Sequence, residues 1–179
     1  MHIVTTQRTF MRTLHVRLSA AAFATALALT ACGSGGDGGK DADPAACRIG
    51  VEVGPGNAAT SPGDTGNVPV TLTNRDSKQC TLKGFPAIEL RDRDSAWTVP
   101  DQEGAKPAEV TLQKDETATF TITYVRGDNG SRSAPVKTVK IDVPGAGDTG
   151  SHPWSYGDVA LKGAKTPDAS VSAVQVAGD

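Results

Sequence analysis

The chain has 179 residues, with 18 lysines and arginines against 20 aspartates and glutamates and a formal net charge of −2 at pH 7. Three of the cations, Arg8, Arg12 and Arg17, lie near the start, so the remainder is more acidic than the whole. That balance argues against a nucleic-acid-binding surface, and we expect no nucleic acid as a partner.

Residues 1–31 have the features of a secretory leader. Three arginines without any acidic residue precede an Ala-rich apolar run over residues 18–30. Leu29-Thr30-Ala31-Cys32 follows and resembles a bacterial lipobox, in which the thiol of the cysteine takes the lipid. An uncleaved membrane anchor is disfavoured because the run is shorter than the ~20 residues of a spanning helix. Met1 and Met11 are both suitable starts for such a leader.

A glycine-rich segment follows the leader. Residues 33–46 hold five glycines among serine, aspartate and lysine and have no apolar cluster to bury in a core. The sequence therefore predicts a lipidated Cys32 with a disordered, flexible tether over residues 32–46. Residues 47–179 then form one domain, since their number suits a single core.

Of the three cysteines of the chain, Cys32 directly follows the leader, and Cys47 and Cys80 lie in the predicted domain. If Cys32 carries lipid, Cys47 and Cys80 have only each other, and a disulfide is the usual state in an oxidising compartment. A metal-binding or catalytic thiol pair is the alternative. It is disfavoured because Cys-x-x-Cys spacing and a nearby histidine are both missing.

Residues 67–90 predict the unit around which the domain is organised. Val68, Val70 and Leu72 alternate with polar residues, which is the period of a half-buried strand. A polar turn then leads to a second strand that carries Cys80, and the corner Gly84-Phe85-Pro86 leads to a third. We expect Cys80 to tie this unit to the start of the domain.

Further strands are predicted over residues 47–53, 109–112, 117–125, 139–143 and, more weakly, 171–176. Residues 145–169 are poorly patterned and predict a long loop, or a loop with a short strand near Val159 and Leu161. No segment has apolar residues at helical spacing over three turns. The chain therefore predicts an all-β fold, an antiparallel β-sandwich with Ig-like topology as the favoured variant.

Several short motifs resemble those of a known family: Cys47 before a short strand, Leu72-Thr73-Asn74, Cys80-Thr81-Leu82, Gly84-Phe85-Pro86 and the hairpin of residues 112–124. The chain resembles the domain of unknown function 4232 family, found in secreted lipoproteins of actinobacteria. The resemblance covers most of residues 47–143 and implies a fold and an exported location, but no activity. Lys114-Asp115 departs from the Pro-Gly that is common in the family, and no further cysteine follows Tyr124.

Two Asp-Thr-Gly tripeptides are candidates for catalysis because paired carboxylates of aspartic proteases share one proton. Asp64-Thr65-Gly66 and Asp148-Thr149-Gly150 both follow turn signals, and little chain remains after the second, so we predict two surface turns. His152 is the one histidine after the leader, and no serine lies in a nucleophile elbow. We therefore expect no catalytic residues and a protein that is not an enzyme.

Metal and adhesion motifs are equally weak. Asp92 and Asp94 lack the run of oxygen ligands of a calcium loop, and we expect no metal or cofactor. Arg126-Gly127-Asp128 spells an adhesion tripeptide, but these residue types are also those that a turn requires.

The aromatic residues offer one candidate ligand face, made of Trp97, His152, Trp154 and Tyr156. Exposed aromatic rings in loops at one end of a sandwich could stack on sugar rings, and we expect Trp97 and Trp154 to lie in one neighbourhood. The alternative is that these rings plug the core beneath the long loop, as aromatic side chains usually do.

Together these observations predict an exported, non-catalytic module at the outer face of the cell membrane, held there by lipid on Cys32. Its role is binding or structural, with a cell-wall glycan or an envelope protein as the candidate partner. A wall-active hydrolase and a small-ligand-binding lipoprotein are the alternatives. The ionisable groups in its main pocket would distinguish binding from catalysis.

Overall fold

The computed structural model describes residues 46–107 and 109–178. The predictions for the leader, for Cys32 and for the tether up to residue 45 lie outside these residues. The described residues include no helix with the length and hydropathy that crossing a membrane requires.

All elements within the described ranges are strands, and every strand pair is antiparallel. Most are short, as expected for a chain rich in glycine and proline. They are β1 (Ile49–Val53), β2 (Thr65–Asn74), β3 (Cys80–Lys83), β4 (Ala87–Arg91), β5 (Ala96–Val99), β6 (Glu109–Leu112), β7 (Thr117–Val125), β8 (Ser133–Ala134), β9 (Thr138–Asp142), β10 (Ser151–Pro153), β11 (Val159–Gly163), β12 (Thr166–Pro167), β13 (Ala169–Val171) and β14 (Gln175–Val176).

The first sheet is centred on the two longest strands. β2 and β7 pair from Thr65 opposite Val125 to Thr73 opposite Thr117. β1 lies on the other side of β2, and β13 and β14 lie on the other side of β7. Threonines of β7 alternate with buried Ala118, Phe120, Ile122 and Tyr124, each 0% exposed. The two-residue period read from the sequence therefore gives the inward face of this sheet.

The second sheet has the strand order β10-β9-β4-β5. The chain leaves the first sheet after β2, forms β4 and β5 in the second, and returns for β7 beside β2. It then adds β9 beside β4 and β10 beside β9. This is the alternation between sheets of an immunoglobulin-like sandwich. The inward residues of both sheets form one buried cluster, so the predicted all-β antiparallel sandwich is confirmed.

Two small sheets complete the domain. β3 pairs with β6, and β11 pairs with both β8 and β12. Residues 145–169 therefore contain three strands, β10 to β12, where the pattern predicted a loop with at most one. β5 and β8 were also missed. These strands have two to five residues and are held mainly by their neighbours, so they have little pattern of their own.

The unit predicted over residues 67–90 is present as β2, β3 and β4, with Gly84 in the corner at φ 73°. The predicted disulfide is also confirmed: Cys47 and Cys80 are bonded with their Cα atoms 5.7 Å apart. The backbone of Cys47 donates to Gly145 O at 3.0 Å and accepts from Gly147 N at 2.7 Å. The first residues of the domain are thereby fixed to β3 and to the loop after β9.

Asn74 is a buried polar residue at the end of β2, with 0% of its surface exposed. Its Nδ2 donates to Lys78 O at 2.8 Å and to Leu112 O at 3.0 Å, and its Oδ1 accepts from Asp76 N at 2.8 Å. Cys80 Sγ lies 3.2 Å from the same oxygen. That contact is not a hydrogen bond, because a disulfide sulfur carries no proton. The side chain thus connects the β2–β3 turn to β6 and lies against the disulfide.

The turn between β6 and β7 explains one departure from the family pattern. Glu116 N donates to Gln113 O at 3.1 Å and closes a four-residue turn. Asp115 occupies its third position at φ 63°, in the left-handed region. Pro-Gly suits the second and third positions of such a turn because glycine adopts positive φ without a steric cost. Aspartate is one of the few other residues that tolerate it.

The domain has two ends that matter for function. The Cys47 end holds Cys47, Asn74 and the loop 143–150, and the far end holds the loops 54–64, 126–133 and 154–158. β2 runs from the far end to the Cys47 end, so the two are separated by roughly 30 Å at 3.4 Å per residue.

The disulfide generates a first prediction. Removing both cysteines, as Cys47→Ala with Cys80→Ala, should lower the free energy of unfolding by about 2–5 kcal/mol, in line with loss of a disulfide from a small domain. Urea denaturation measures the change. Thiol labelling of the denatured wild type should find no free thiol of Cys47 or Cys80 before reduction, and labelling without reduction would contradict the bond.

The Asn74 network generates a second prediction. Asn74→Ala leaves Leu112 O, Lys78 O and Asp76 N without their partner, and buried unsatisfied groups cost about 1–3 kcal/mol each. We expect a loss of about 2–4 kcal/mol in chemical denaturation, since water will reach part of the turn. Asn67→Ala is the control, because the Asn67 side chain is exposed and, among the described residues, accepts one hydrogen bond, from Thr123 Oγ1. Equal effects of the two changes would contradict the role given to Asn74.

Candidate functional site

Three aromatic side chains pack together at the far end. Trp154 lies between Tyr124 and Tyr156, with ring centroids 5.2 Å and 4.9 Å away in edge-to-face arrangement. Tyr124 is 0%, Trp154 6% and Tyr156 8% exposed. Pairs of this geometry stabilise by about 0.5–1.5 kcal/mol beyond the burial of their area.

The polar atoms of this cluster are all hydrogen-bonded to backbone. Tyr124 Oη accepts from Ala59 N at 3.2 Å and donates to Tyr156 O at 3.0 Å. Trp154 Nε1 donates to Gly157 O at 2.7 Å, and Tyr156 Oη donates to Gly54 O. The cluster therefore binds the loop 54–59 to the loop 154–157 and closes the far end of the sandwich.

The ring of Tyr124 can approach the backbone of β2 closely because Gly66 has no side chain. A Cβ added there would lie 2.4 Å from Tyr124 Cε1. Burial raises the pKa of the Tyr156 hydroxyl, neighbouring Tyr124 raises it further, and the backbone of Gly56 opposes both. Tyr156 is therefore neutral at neutral pH and serves as a hydrogen-bond donor in this cluster.

The aromatic residues do not form the ligand face expected from the sequence. Trp97, Trp154 and Tyr156 are all at most 8% exposed, so none offers an open ring face for a sugar. The alternative, an aromatic plug, describes Trp154 and Tyr156. His152 is half-buried on β10, and its Nε2 lies 2.9 Å from Thr149 O.

The expected proximity of Trp97 and Trp154 is also wrong. Across the second sheet, Trp97 pairs with Leu90, Leu90 with Val139 and Val139 with His152. Three strand spacings amount to about 14 Å. Trp97 and the segment after β10 therefore lie at opposite edges of this sheet. Their separation depends on the order of the strands, which the amino-acid composition does not indicate.

The aspartates of the two Asp-Thr-Gly tripeptides are exposed and lie in turns at opposite ends of the domain, whereas Thr65 and Gly66 begin β2 and Thr149 is buried. Asp64 Oδ2 accepts from Ser61 N at 3.0 Å at the far end. Asp148 Oδ1 accepts from Gly150 N at 3.0 Å, beside Cys47. Their carboxylates each stabilise a local turn and are too far apart to share a proton.

An open groove of about 440 Å³ lies at the far end, between the end of β7 and the β8–β11 pair. This groove was not predicted from the sequence. Among its polar lining residues, only those of the tripeptide Arg126-Gly127-Asp128 belong to a motif identified in the sequence. Gly127 is buried and Arg126 half-buried, so this tripeptide is not displayed at a loop tip. The charged residues that line the groove are Arg126, Asp128, Arg132, Lys162 and Asp168.

Asp128 organises one side of the groove. Its Oδ1 accepts from Gly130 N at 2.9 Å and from Ser133 Oγ at 2.8 Å. The backbone bond from Gly130 is the main cause of a lowered pKa for this carboxyl, and the bond from Ser133 adds to it. Asn129, between Asp128 and Gly130, adopts a left-handed conformation at φ 59°, which permits the tight turn.

Contacts within the protein also position Lys162, Asp168 and Arg126. Lys162 Nζ lies 3.0 Å from Asp168 Oδ1. Arg126 Nη1 donates to Ala59 O at 3.1 Å and to Tyr156 O at 3.2 Å. Arg126 thus connects the groove to the loops that the aromatic cluster joins. Within residues 46–107 and 109–178, His, Cys, Asp and Glu side chains form no group of three that could hold a metal ion.

The hydrogen bonds of Asp128 generate a third prediction. An NMR titration of its carboxyl should give a midpoint below the ordinary value of 3.8. Because the folded pKa is lowered, the stability from this group is present above the unfolded pKa and is lost as pH falls through the folded pKa. Ser133→Ala should raise the midpoint, whereas Ser131→Ala should not. An unchanged midpoint in Ser133→Ala would contradict the assigned bond.

Comparison with known proteins gives a family and no characterised relative. No curated protein and no solved structure matches the chain. A family model described as "Domain of unknown function (DUF4232)" matches residues 45–176, which include all fourteen strands, the disulfide and the groove. The chain belongs to this family.

Proposed function

We propose that the protein is an exported, lipid-anchored β-sandwich module without catalytic activity, which presents the groove at its far end to a ligand at the outer face of the cell membrane. The observation that supports this most is the position of the Cys47–Cys80 bond at the first residues of the domain. Such a bond is typical of proteins that fold in oxidising compartments.

The sequence before the domain supports the anchoring. Leu29-Thr30-Ala31-Cys32 has the residue types of a lipobox, and the glycine-rich residues after it suit a flexible spacer. Two acyl chains hold a protein on a bilayer, whereas one gives only marginal binding. In this proposal Cys32 carries the membrane attachment, and Cys47 is where the tether meets the folded domain.

The direction of the strands supports a display role. The chain reaches the domain at Cys47, and the groove lies roughly 30 Å away at the opposite end of β2. In this proposal the groove lies at the end of the domain opposite to the residue at which the membrane anchor joins it, and is presented there to a ligand. Loops at the end of a rigid sandwich are a common place for binding residues.

The groove favours binding over a wall-active hydrolase. Ser133 Oγ donates to Asp128, and Asp128 N in turn donates to Ser133 Oγ at 2.9 Å, so the hydroxyl is part of a turn. A serine nucleophile needs a base within hydrogen-bond reach to take its proton. His152 is not among the residues that line the groove. A small-ligand carrier is the second candidate, favoured by the same groove.

Lipid anchoring generates a fourth prediction. Cys32→Ser should abolish labelling by a radioactive fatty acid and leave the precursor at its unprocessed mass. Membrane fractionation and mass spectrometry measure both effects. Ser34→Ala is the control, because it changes a neighbouring residue without removing the thiol. A Cys32→Ser protein that matures normally would overturn the anchoring.

A further inference from the structure

We infer that the groove at the far end is a binding site for an oxyanion, a carboxylate or phosphate group of the ligand, held by Arg126 and Arg132 with Lys162 on the other side. This inference rests on the proposed function, because it assigns the class of ligand that a binding module of this shape would take. It concerns the groove alone and does not depend on how the protein is anchored.

The carboxylates of the groove are already occupied by the protein. Asp128 accepts two hydrogen bonds within its own turn, and its lowered pKa keeps it ionised there. Asp168 is paired with Lys162 at 3.0 Å. Neither carboxylate lies within 4.0 Å of an arginine of the groove, among the ion pairs of the described residues.

The two arginines, by contrast, lack a carboxylate partner within 4.0 Å in the described part of the chain. Arg132 acts on Asp128 only from a greater distance, as the last of the causes that lower the pKa of that carboxyl, after the backbone bond from Gly130. Arg75 and Arg91, outside the groove, each have one. Arg126 is half-buried, and within the described residues its side chain donates from Nη1 to two neutral carbonyls. A partly buried cation whose partners are neutral has a strong electrostatic interaction available for an anion.

The position of Arg126 is fixed before any ligand arrives. A Cβ at Gly157 would lie 2.6 Å from Arg126 Nη1, so the guanidinium rests directly on the backbone there. Its two carbonyl partners belong to loops that the aromatic cluster joins. A pre-positioned guanidinium loses little freedom on binding and presents its remaining donors in the fork that matches carboxylate and phosphate oxygens.

Arg132 supplies a second cation from a different element. Its side chain is exposed at the groove, and its backbone carbonyl accepts from Leu161 N at 2.9 Å, which holds the loop before β8 against β11. With Lys162, the lining has three cations and two anions on a chain whose net charge is −2. The groove thus has one cation more than it has anions, on an acidic protein, and it has the volume of a small-ligand pocket.

The test measures anion binding by the full chain, purified in a mild uncharged detergent. Inorganic phosphate and succinate are titrated separately at low salt, with glucose as the neutral control, and NMR follows the amides of Gly63, Gly127 and Arg132. We expect saturable shifts at these amides with at least one anion, weakening as sodium chloride is added. If only phosphate saturates the site, the ligand carries a phosphate group; if only succinate does, it carries a carboxylate. Saturation by both anions indicates a site that binds either kind of oxyanion.

Matched charge changes separate the groove from general attraction. Arg132→Gln should weaken the binding of the effective anion about tenfold, which corresponds to loss of one charged hydrogen-bond partner. Arg93→Gln removes the same charge from an exposed turn outside the groove and should leave the affinity unchanged. Equal weakening by the two variants, or no saturable binding of either anion, would overturn the inference. Either result would leave the Cys32 anchoring untouched.

Discussion

The hydrogen bonds of one buried amide determine the Cys47 end of the domain. Asn74 ends β2, and its side chain holds the following turn and the end of β6 while it lies against the Cys80 sulfur. Its backbone adds two bonds, from Asn74 N to Glu116 O at 3.0 Å and from Asp115 N to Asn74 O at 2.9 Å. A polar group buried to this extent is stable only when every bond is made, so it specifies one arrangement of these strands.

The far end is held by a different kind of interaction. There the aromatic cluster of Tyr124, Trp154 and Tyr156 fills the space between the sheets, and each polar atom of its side chains bonds to a loop carbonyl or amide. Arg126 extends the same set of contacts to the groove surface. The core therefore holds one wall residue of the groove in place, because Arg126 and fully buried Tyr124 donate to the same carbonyl, Tyr156 O.

Much of this fold followed from the sequence. The alternation in β2 and β7 and the turn signals between strands predicted the sandwich, and the count of cysteines predicted the disulfide. The sequence was less informative about residues whose neighbours in the fold come from distant parts of the chain. Trp97 and Trp154 were grouped by residue type although strand order separates them, and the groove combines residues from five segments between Pro62 and Asp168. Asn74 stood out only as a turn former and as part of a family motif, because the sequence does not distinguish a buried polar residue at a strand end from an exposed one.

The attachment point at Cys47 also has a mechanical consequence. A pull on the chain before the domain reaches Cys47 first, and the covalent bond passes that load to β3 before β1 can be peeled from β2. If a ligand held the opposite end, the load would then run along β2 and β7, parallel to the strands. Their hydrogen bonds would be stretched together in shear, which resists rupture far better than opening one bond at a time.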